Sequence, residues 1–259
     1  LGRGSFGTVD LVRDPADGEQ YARKSEPLDA RVPQLELEWK VYRKLLGVPG
    51  IPIAYAMWKQ DGYMRMAIQA LGPSLAKCLL QITQWDVMNW IFPKALLAIE
   101  AVHNHELLHR DIKPENLLTG VTGLASRELY LVDFGLCKRY RMDATDHIPF
   151  CEGKPLTGTV RYASIWTHEG KQQSRRDDLE AIGYVCVYLI RRTLPWADPA
   201  GSTKSEQRAE THRIKKATPL EELCHGLPPA FLHYFRAVRQ LRFDEAPDYA
   251  LLRGYLSLR

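Results

Sequence analysis

The chain has 259 residues, of which 45% are hydrophobic, 10% aromatic and 25% charged. This composition is ordinary for a globular protein with a large core, and it excludes a disordered, collagen-like or coiled-coil chain. The 35 Lys and Arg residues against 31 Asp and Glu give a net charge of +4. That excess is too small and too dispersed to indicate nucleic-acid binding.

Apolar runs and cysteines narrow the class of protein further. The longest apolar runs, near 88–99 and 181–190, are too short or too polar to span a bilayer, so we expect no membrane insertion. Five cysteines lie far apart without a C-x-x-C pair, which favours a reducing intracellular compartment, cytoplasmic or nuclear, over a zinc site or a disulfide framework. The chain opens at Leu1 inside a glycine-rich turn, so we expect it to be trimmed at its N-terminus.

Up to about residue 70 the sequence predicts strands interrupted by one helix. Alternation of apolar and polar residues predicts strands over 8–12, 19–24 and 63–68. Residues 34–46 carry apolar side chains at three- and four-residue steps, which predicts an amphipathic helix with Glu38 near its middle. Its apolar positions are Leu35, Trp39, Tyr42, Leu45 and Leu46.

Beyond Gly72 the pattern becomes helical. Ser74 is a candidate helix N-cap, and helices are predicted over 85–105, 177–190, 229–241 and 247–258. The predicted class is therefore an α+β fold with two lobes, a small β-rich N-lobe over 1–70 with one helix and a larger helical C-lobe over 71–259. We expect residues 70–73 to join the two lobes and a ligand to lie in the cleft between them.

A glycine-rich turn opens the chain. Residues 2–9 read GRGSFGTV and fit the pattern G-x-G-x-x-G-x-V, in which backbone N–H groups approach phosphate oxygens. Similar glycines open dinucleotide-binding folds, and Asp29 lies where a ribose-binding acid is expected. Because Thr8–Val12 alternates as a strand, a flap over phosphates is favoured. A glycine-rich hairpin without a ligand stays open.

Residues 109–116 read HRDIKPEN and match the pattern H-R-D-x-K-x-x-N. Asp111 can accept the proton of a hydroxyl that attacks a phosphoryl group, and Lys113 can neutralise the group in transfer. Asn116 can bind a metal ion from the other side. The alternative is a solvated charged loop.

Two further features complete the same chemistry. Asp133-Phe134-Gly135 follows a predicted strand over 129–132 and lies 22 residues after Asp111. Asp133 would be the main ligand of Mg²⁺, a hard cation that prefers carboxylate oxygen when it bridges phosphates. Lys24, at the end of a strand, would hold the α- and β-phosphates of a nucleotide, with Glu38 as its partner. The alternatives are a simple turn at 133–135 and a surface ion pair.

Together these residues resemble a eukaryotic protein kinase domain, and the later part of the chain resembles the casein kinase 1 family. Ala163-Ser164-Ile165 stands where most kinases carry Ala-Pro-Glu, which is typical of that family. Vaccinia-related and tau-tubulin kinases share parts of the pattern but fit 174–180 less well. The likeness runs almost end to end, to LRFD at 241–244 and PDY at 247–249. Its other stretches are LGPSL at 71–75, LTGTVRYAS at 156–164, SRRDDLE at 174–180 and LPW at 194–196.

The resemblance implies a role for each matching position. Asp111 would be the catalytic base, with Lys113 beside it, Asn116 and Asp133 the metal ligands, and Lys24 with Glu38 the phosphate-anchoring pair. Asp178 would be the buried carboxylate that braces the catalytic loop. The ATP-binding positions would be Leu1, Gly2, Gly4, Ser5, Phe6, Gly7, Val9, Ala22, Lys24, Ile68, Gln69, Leu71, Leu118 and Asp133.

Members of the family often prefer acidic or phosphorylated substrates and need no phosphorylation of the activation loop. The basic positions that would bind the substrate anion are Arg110, Lys138, Lys154 and Arg161. The chain departs from the family at Trp166, where Asn is usual, and at Cys151 and Gln207, where basic residues are usual.

The sequence thus predicts a monomeric serine/threonine kinase domain that transfers the γ-phosphate of ATP, with Mg²⁺, to protein substrates with acidic or phosphorylated neighbours. The alternative is a pseudokinase that acts as a scaffold. Pseudokinases typically lack one of the residues at the positions of Lys24, Asp111 and Asp133, and all three are present here. A nucleotide-dependent oxidoreductase is a weaker alternative, because no feature of the sequence beyond the glycines supports it.

Overall fold

The computed structural model describes residues 2–4, 7–15, 18–142 and 146–257. Within these ranges the first part of the chain forms a sheet of five antiparallel strands, β1 (Gly2–Gly4), β2 (Gly7–Arg13), β3 (Gln20–Pro27), β4 (Ala54–Gln60) and β5 (Tyr63–Gln69). Their order in the sheet is β1-β2-β3-β5-β4. The predicted strands are confirmed, and the structure adds β1 and β4.

The register of the sheet places several predicted site residues on one face. Val9 on β2 lies opposite Lys24 on β3, and Ala22 lies opposite Ile68 on β5. Side chains at i and i+2 of a strand share a face, so all four lie on the same side of the sheet. That face also receives the helix α1 (Leu35–Lys44), which carries Glu38.

Helix α1 is anchored at its N-terminus by a buried carboxylate on β3. The two oxygens of Glu26 accept hydrogen bonds from the backbone N–H groups of Gln34 (2.9 Å) and Leu35 (3.2 Å). These N–H groups have no partner within the helix, and the helix dipole favours a negative charge at this end. The prediction that Leu46 lies on the buried face is wrong, because the helix ends at Lys44 and leaves Leu46 exposed.

Replacing Glu26 with Gln is expected to lower the free energy of unfolding by about 1–3 kcal/mol, because an amide N–H would then face a backbone N–H. The matched control is Glu36→Gln, an exposed residue in the first turn of the same helix, which is expected to change stability by no more than about 0.5 kcal/mol. Denaturant unfolding of both variants measures the difference. Equal losses would contradict an anchoring role for Glu26.

The later part of the chain is helical. Helix α2 (Gln84–Asp86) continues through a π-helical turn at Val87–Ile91 into α3 (Phe92–Asn104). Phe92 stacks on Phe231 and meets Tyr234 edge to face, which joins α3 to the later helix α8 (Pro229–Gln240). The remaining helices are α4 (Ile165–His168), α5 (Arg175–Arg191), α6 (Lys204–Ala217), α7 (Leu220–Leu223), α8 (Pro229–Gln240) and α9 (Tyr249–Gly254). None of the described helices has the length and apolar character needed to cross a bilayer.

Two expectations for this part are corrected. Ser74 is not the N-cap of a helix, because turns and a short 3-10 helix at Leu79–Gln81 follow it. The cap is Thr83, whose hydroxyl accepts from Asp86 N (3.2 Å) while the Asp86 carboxylate accepts from Thr83 N (2.9 Å). Helix α6 was not predicted, since its charged sequence shows no apolar stripe.

Two pairs of short strands flank the loop 109–116 and the segment 133–135. Strand β6 (Leu107–Leu108) pairs with β9 (Lys138–Arg139), and β7 (Leu117–Thr119) pairs with β8 (Leu129–Leu131). The loop 109–116 leaves β6 and enters β7, and the segment 133–135 lies between β8 and β9. The pairing therefore holds the two predicted catalytic segments side by side.

Candidate active site

A buried carboxylate fixes the start of the loop 109–116. Asp178, near the N-terminus of α5, accepts hydrogen bonds from the backbone N–H groups of His109 and Arg110, both at 2.8 Å, and from His103 Nε2 (3.0 Å). Burial acts to raise the pKa of Asp178, but these donors lower it below its ordinary value. Arg110 has a left-handed φ of +69°, an unfavourable conformation for arginine that the Asp178 bond supports. Asp178 thus fixes the backbone at the start of the loop 109–116.

Two short hydrogen bonds, and a longer one from Asn116 Nδ2 to Oδ2 (3.4 Å), orient the side chain of Asp111. Lys113 Nζ lies 2.6 Å from Oδ2, and the Thr159 hydroxyl donates to Oδ1 at 2.7 Å. Asn116 Nδ2 donates to the main-chain oxygen of Asp111 (3.0 Å). The sequence had not assigned this role to Thr159. In the sequence, the glycine directly before Thr159 is the only local indication of a close backbone contact at this point. In the structure, a Cβ at Gly158 (φ +93°) would stand 2.3 Å from the Arg110 carbonyl oxygen.

Lys24, Glu38 and Asp133 form a compact charged group. Lys24 Nζ donates to Glu38 Oε2 at 2.5 Å and to Asp133 Oδ1 at 3.0 Å. Burial alone would lower the pKa of Lys24, but the two carboxylates raise it above its ordinary value, so the ammonium is retained. Burial raises the pKa of Glu38, and Lys24 opposes that rise. Burial also acts to raise the pKa of Asp133, but Lys24 brings it below its ordinary value.

Phe134 sets the position of Asp133. Its ring is fully buried and makes edge-to-face contacts with Tyr42 on α1 and with His109, each at a centroid distance of 5.1 Å. The Tyr42 hydroxyl accepts from Asp133 N (3.2 Å). Asp133 itself has φ +68°, which these contacts stabilise. The packing directs the carboxylate of Asp133 toward Lys24.

The donor set fits a magnesium ion shared with a nucleotide. Mg²⁺ in such sites binds one or two protein oxygens together with substrate phosphates and water. Asp133 supplies carboxylate oxygen, and Asn116 uses its amide nitrogen on Asp111, so its side-chain oxygen is the atom that suits a metal. Among the described residues no group of three or more His, Cys, Asp or Glu side chains forms a cage of its own.

The predicted nucleotide-binding residues are only partly described. Leu1, Ser5 and Phe6 lie outside the described residues. Gly2 and Gly4 are in β1 and Gly7 begins β2, where a Cβ would stand 2.1 Å from the Ser25 carbonyl oxygen. Because the turn continues into a strand, the dinucleotide-binding alternative is wrong, and Asp29 lies exposed in the turn after β3.

The chain between the two parts follows β5. Gln69 N donates to the Ile53 carbonyl at 2.8 Å, and Gly72 N donates to the Thr119 carbonyl at 3.0 Å. Leu71 is half-buried between them. Leu118 on β7 forms a bridge with Ser74 just beyond this connection. Gln69, Leu71 and Leu118 therefore lie close to the connection, whereas Val9, Ala22 and Ile68 belong to the sheet.

Lys138 lies near two of the other predicted anion-binding cations, Arg110 and Lys154. Burial lowers the pKa of Lys138, and the positive charges of Arg110 and Lys154 lower it further. Lys138 Nζ donates to Gln172 Oε1 (3.1 Å), and Arg110 Nε donates to the Leu136 carbonyl (2.6 Å). Cys151 Sγ is 3.7 Å from the same Gln172 oxygen, so a thiol stands at the edge of this basic group.

Arg161 has different contacts. Its guanidinium lies 5.7 Å from the centre of the Tyr188 ring. Gln207 is exposed and donates to the Gly201 carbonyl at 3.1 Å. The Trp166 ring is contacted by Lys171 and Arg176, with the charged groups 4.2 and 4.4 Å from its centre. The Trp166 ring is therefore packed between two cationic side chains.

A family model of the protein kinase domain matches residues 1–229, which is most of the chain. The chain therefore belongs to the protein kinase family, and the sheet-rich first part and helical second part are the two-lobed fold of that family.

Proposed function

We propose that the chain is an active serine/threonine kinase of casein kinase 1 type that phosphorylates acidic or phospho-primed protein substrates. The main observation is that the residues needed for phosphoryl transfer are assembled together. Lys24 contacts Glu38 and Asp133 at the same time, and Asp111 is held by Lys113 and Thr159. A pseudokinase needs no such arrangement.

In the proposed reaction the acceptor hydroxyl attacks the γ-phosphorus of ATP, and the bond from that phosphorus to the β–γ bridging oxygen breaks. Asp111 accepts the hydroxyl proton, and Lys113 stabilises the charge on the phosphoryl group in transfer. Lys24 orients the α- and β-phosphates while Glu38 holds its ammonium in place. Positioning and charge neutralisation thus account for the rate, without a covalent intermediate.

Asp133 and Asn116 would hold Mg²⁺, which would supply charge neutralisation between the β- and γ-phosphates. ATP as the phosphoryl donor and Mg²⁺ as its metal follow from the kinase family in general.

Preference for serine and threonine is supported by the geometry around Asp111. Thr159 donates to the Asp111 carboxylate, and Gly158 lies against the Arg110 carbonyl, so the segment 158–163 runs close beneath the base. We propose that a peptide bound on this segment would bring the short hydroxyl side chain of serine or threonine to Asp111, whereas the longer tyrosine side chain would carry its hydroxyl past that carboxylate. Phosphoamino-acid analysis of a labelled protein substrate tests this proposal, and phosphotyrosine as the main product would contradict it.

Preference for an anion near the target is supported by the basic group of Arg110, Lys138 and Lys154. The positive charges of Arg110 and Lys154 act on Lys138, whose pKa burial already lowers, so an anion bound beside Lys138 would be stabilised by all three cations. Arg161, in the segment next to the acceptor site, is a fourth cation that suits a phosphate or carboxylate upstream of the target.

Replacing Arg161 with Ala is expected to lower kcat/KM about 10- to 150-fold on a phospho-primed peptide, through loss of a charge-assisted contact. An unprimed neutral peptide is expected to lose much less. The matched control is Arg208→Ala, an exposed arginine on α6. If both peptides lose activity equally, Arg161 only shapes the segment, and the assignment to substrate recognition is wrong.

A further inference from the structure

A lysine ammonium is fully buried beneath the segment that follows Thr159. Lys215 lies on α6 and has none of its side chain exposed, although most of that helix is polar and accessible. Its Nζ donates to the carbonyl oxygens of Ala163 (2.5 Å), Arg161 (3.2 Å) and Val160 (3.3 Å). The ring faces of Tyr184 and Trp196 lie 4.8 and 4.9 Å from it. Carbonyl oxygens and aromatic faces together offset the cost of burying the charge.

The contacts differ from those of an ordinary stabilising ion pair. Glu180 is the acid whose charge acts on Lys215, but its carboxylate is engaged by the Tyr184 hydroxyl at 2.5 Å and by Arg239 Nε at 3.3 Å. Lys215 instead directs its hydrogen bonds to main-chain oxygens of one short segment. A lysine placed only for charge balance would face the carboxylate.

The segment that Lys215 holds is continuous with the acceptor site. Thr159, directly before it, donates to Asp111, and Arg161 lies within it. The Arg161 carbonyl also accepts from Trp196 Nε1 at 2.8 Å. The segment is therefore fixed by the catalytic loop on one side and by Lys215 and Trp196 on the other.

We infer that Lys215 is a positioning residue for the protein substrate, whose ammonium holds Val160–Ala163 in the shape that receives the peptide around the target hydroxyl. This inference rests on the proposed kinase function. It assigns no role to Lys215 in ATP binding or in the transfer step, so its loss is expected to affect KM for the peptide before it affects KM for ATP.

The surroundings of Lys215 make its charge sensitive to pH near neutrality. Burial lowers the pKa of Lys215 to about 7, while Glu180 raises it and Arg239 lowers it. His168 Nε2 lies 3.2 Å from Nζ, but burial lowers the pKa of His168 to about 3, so that ring is neutral. His212, stacked on His168, also has a lowered pKa, because it is partly buried, and the pKa of Tyr184 is raised by burial.

Below about pH 7 the ammonium of Lys215 is present. Above it the bonds to the segment weaken, so peptide KM is expected to rise with pH.

The experiment compares Lys215→Met, Lys215→Arg and the control Lys216→Met with the wild type. Lys216 is the next residue and makes an exposed ion pair with Glu169. Peptide KM, ATP KM and kcat are measured from about pH 6 to pH 8.5 with a neutral serine peptide that carries no group titrating in that range. Thermal unfolding of each variant is followed in parallel.

We expect Lys215→Met to raise peptide KM about 10- to 100-fold, to leave ATP KM within about twofold, and to remove the pH dependence of peptide KM. Lys215→Arg, which stays charged, is expected to retain a lower peptide KM without a change near pH 7. Lys216→Met is expected to match the wild type. If Lys215→Met does not fold, Lys215→Arg tests the inference, because its peptide KM is expected not to change near pH 7 whereas that of the wild type is expected to rise.

Two results would overturn the inference. One is an unchanged peptide KM in Lys215→Met, and the other is a parallel loss in peptide KM, ATP KM and kcat with the pH profile retained. Absence of transfer by the wild type would instead contradict the proposed kinase function. In that case, fluorescence anisotropy of the labelled peptide with the wild type and Lys215→Met still tests whether Lys215 positions it.

Discussion

Replacing Asp133 with Asn is expected to abolish phosphoryl transfer while the fold remains intact. Asp133 is the carboxylate that packing of Phe134 directs toward Lys24, and Asn116 is the other protein oxygen assigned to the metal. Removing a metal ligand next to the phosphates costs several kcal/mol of transition-state stabilisation, which corresponds to a loss of about a thousandfold or more. Asn still accepts a hydrogen bond from Lys24, so the structural cost is expected to be small.

The measurement is steady-state transfer of the γ-phosphate at saturating ATP, together with titration of Mg²⁺ against ATP binding. The matched control is Asp198→Asn, an exposed residue that is expected to behave like the wild type. In Asp133→Asn, we expect ATP to bind without the increase in affinity that Mg²⁺ gives the wild type. Transfer at a rate near that of the wild type would remove Asp133 from the metal site.

Replacing Asp178 with Asn is expected to lower the free energy of unfolding by about 3 kcal/mol and to reduce transfer strongly. The carboxylate accepts from two backbone N–H groups and from His103, and an amide group cannot accept all three bonds. Because the pKa of Asp178 is lowered in the fold, its contribution is fully present at neutral pH and is lost as the pH falls into the acid range. Movement of the loop would also displace Asp111.

The adjacent Asp177 provides a matched control with the opposite shift. It is also buried, but burial raises its pKa to about 7 despite hydrogen bonds from Ser164 and Ser174. The folded state therefore binds a proton between its ordinary value of 3.8 and about 7, and stability falls as pH rises through that window. Asp177→Asn keeps one acceptor and removes the titration.

Denaturant unfolding of the two variants from about pH 4 to pH 7.5 tests both expectations. Asp178→Asn is expected to be much less stable than the wild type at pH 7. Asp177→Asn is expected to gain stability relative to the wild type as the pH rises. Similar losses for the two variants at neutral pH would show that Asp178 does not have the bracing role assigned to it.

The candidate catalytic residues could be located in the sequence because they occur in short motifs, and the structure brings them together. Asp111, Lys113 and Asn116 lie within six residues of chain, and Asp133 follows a strand that pairs next to them. Local spacing is sufficient in such a case, since the backbone between the residues is short. Lys24 and Glu38 were predictable from motif order, as the strand and the helix that carry them are consecutive.

The residues that hold the site together were harder to predict. Glu26 and Lys215 are buried, but charged residues are usually exposed, and nothing in the neighbouring sequence shows that tertiary contacts bury these two. Helix α6 carries no apolar stripe, but Thr203 and Glu206 form a capping box that marks its start. Leu46 is the opposite case, because the apolar pattern predicts that it is buried but the structure leaves it exposed. The helix ends at Lys44, before the apolar pattern does.

Transfer by the phosphatase-treated wild-type domain is the most direct test of the central claim. The domain is produced in bacteria, dephosphorylated, and given radiolabelled ATP, Mg²⁺ and casein without an activating kinase. We expect labelled phosphate on serine and threonine, because Lys24, Glu38, Asp133 and Asp111 are already assembled. ATP binding without transfer, or transfer only after phosphorylation of Thr145, Thr157 or Thr159, would contradict the account.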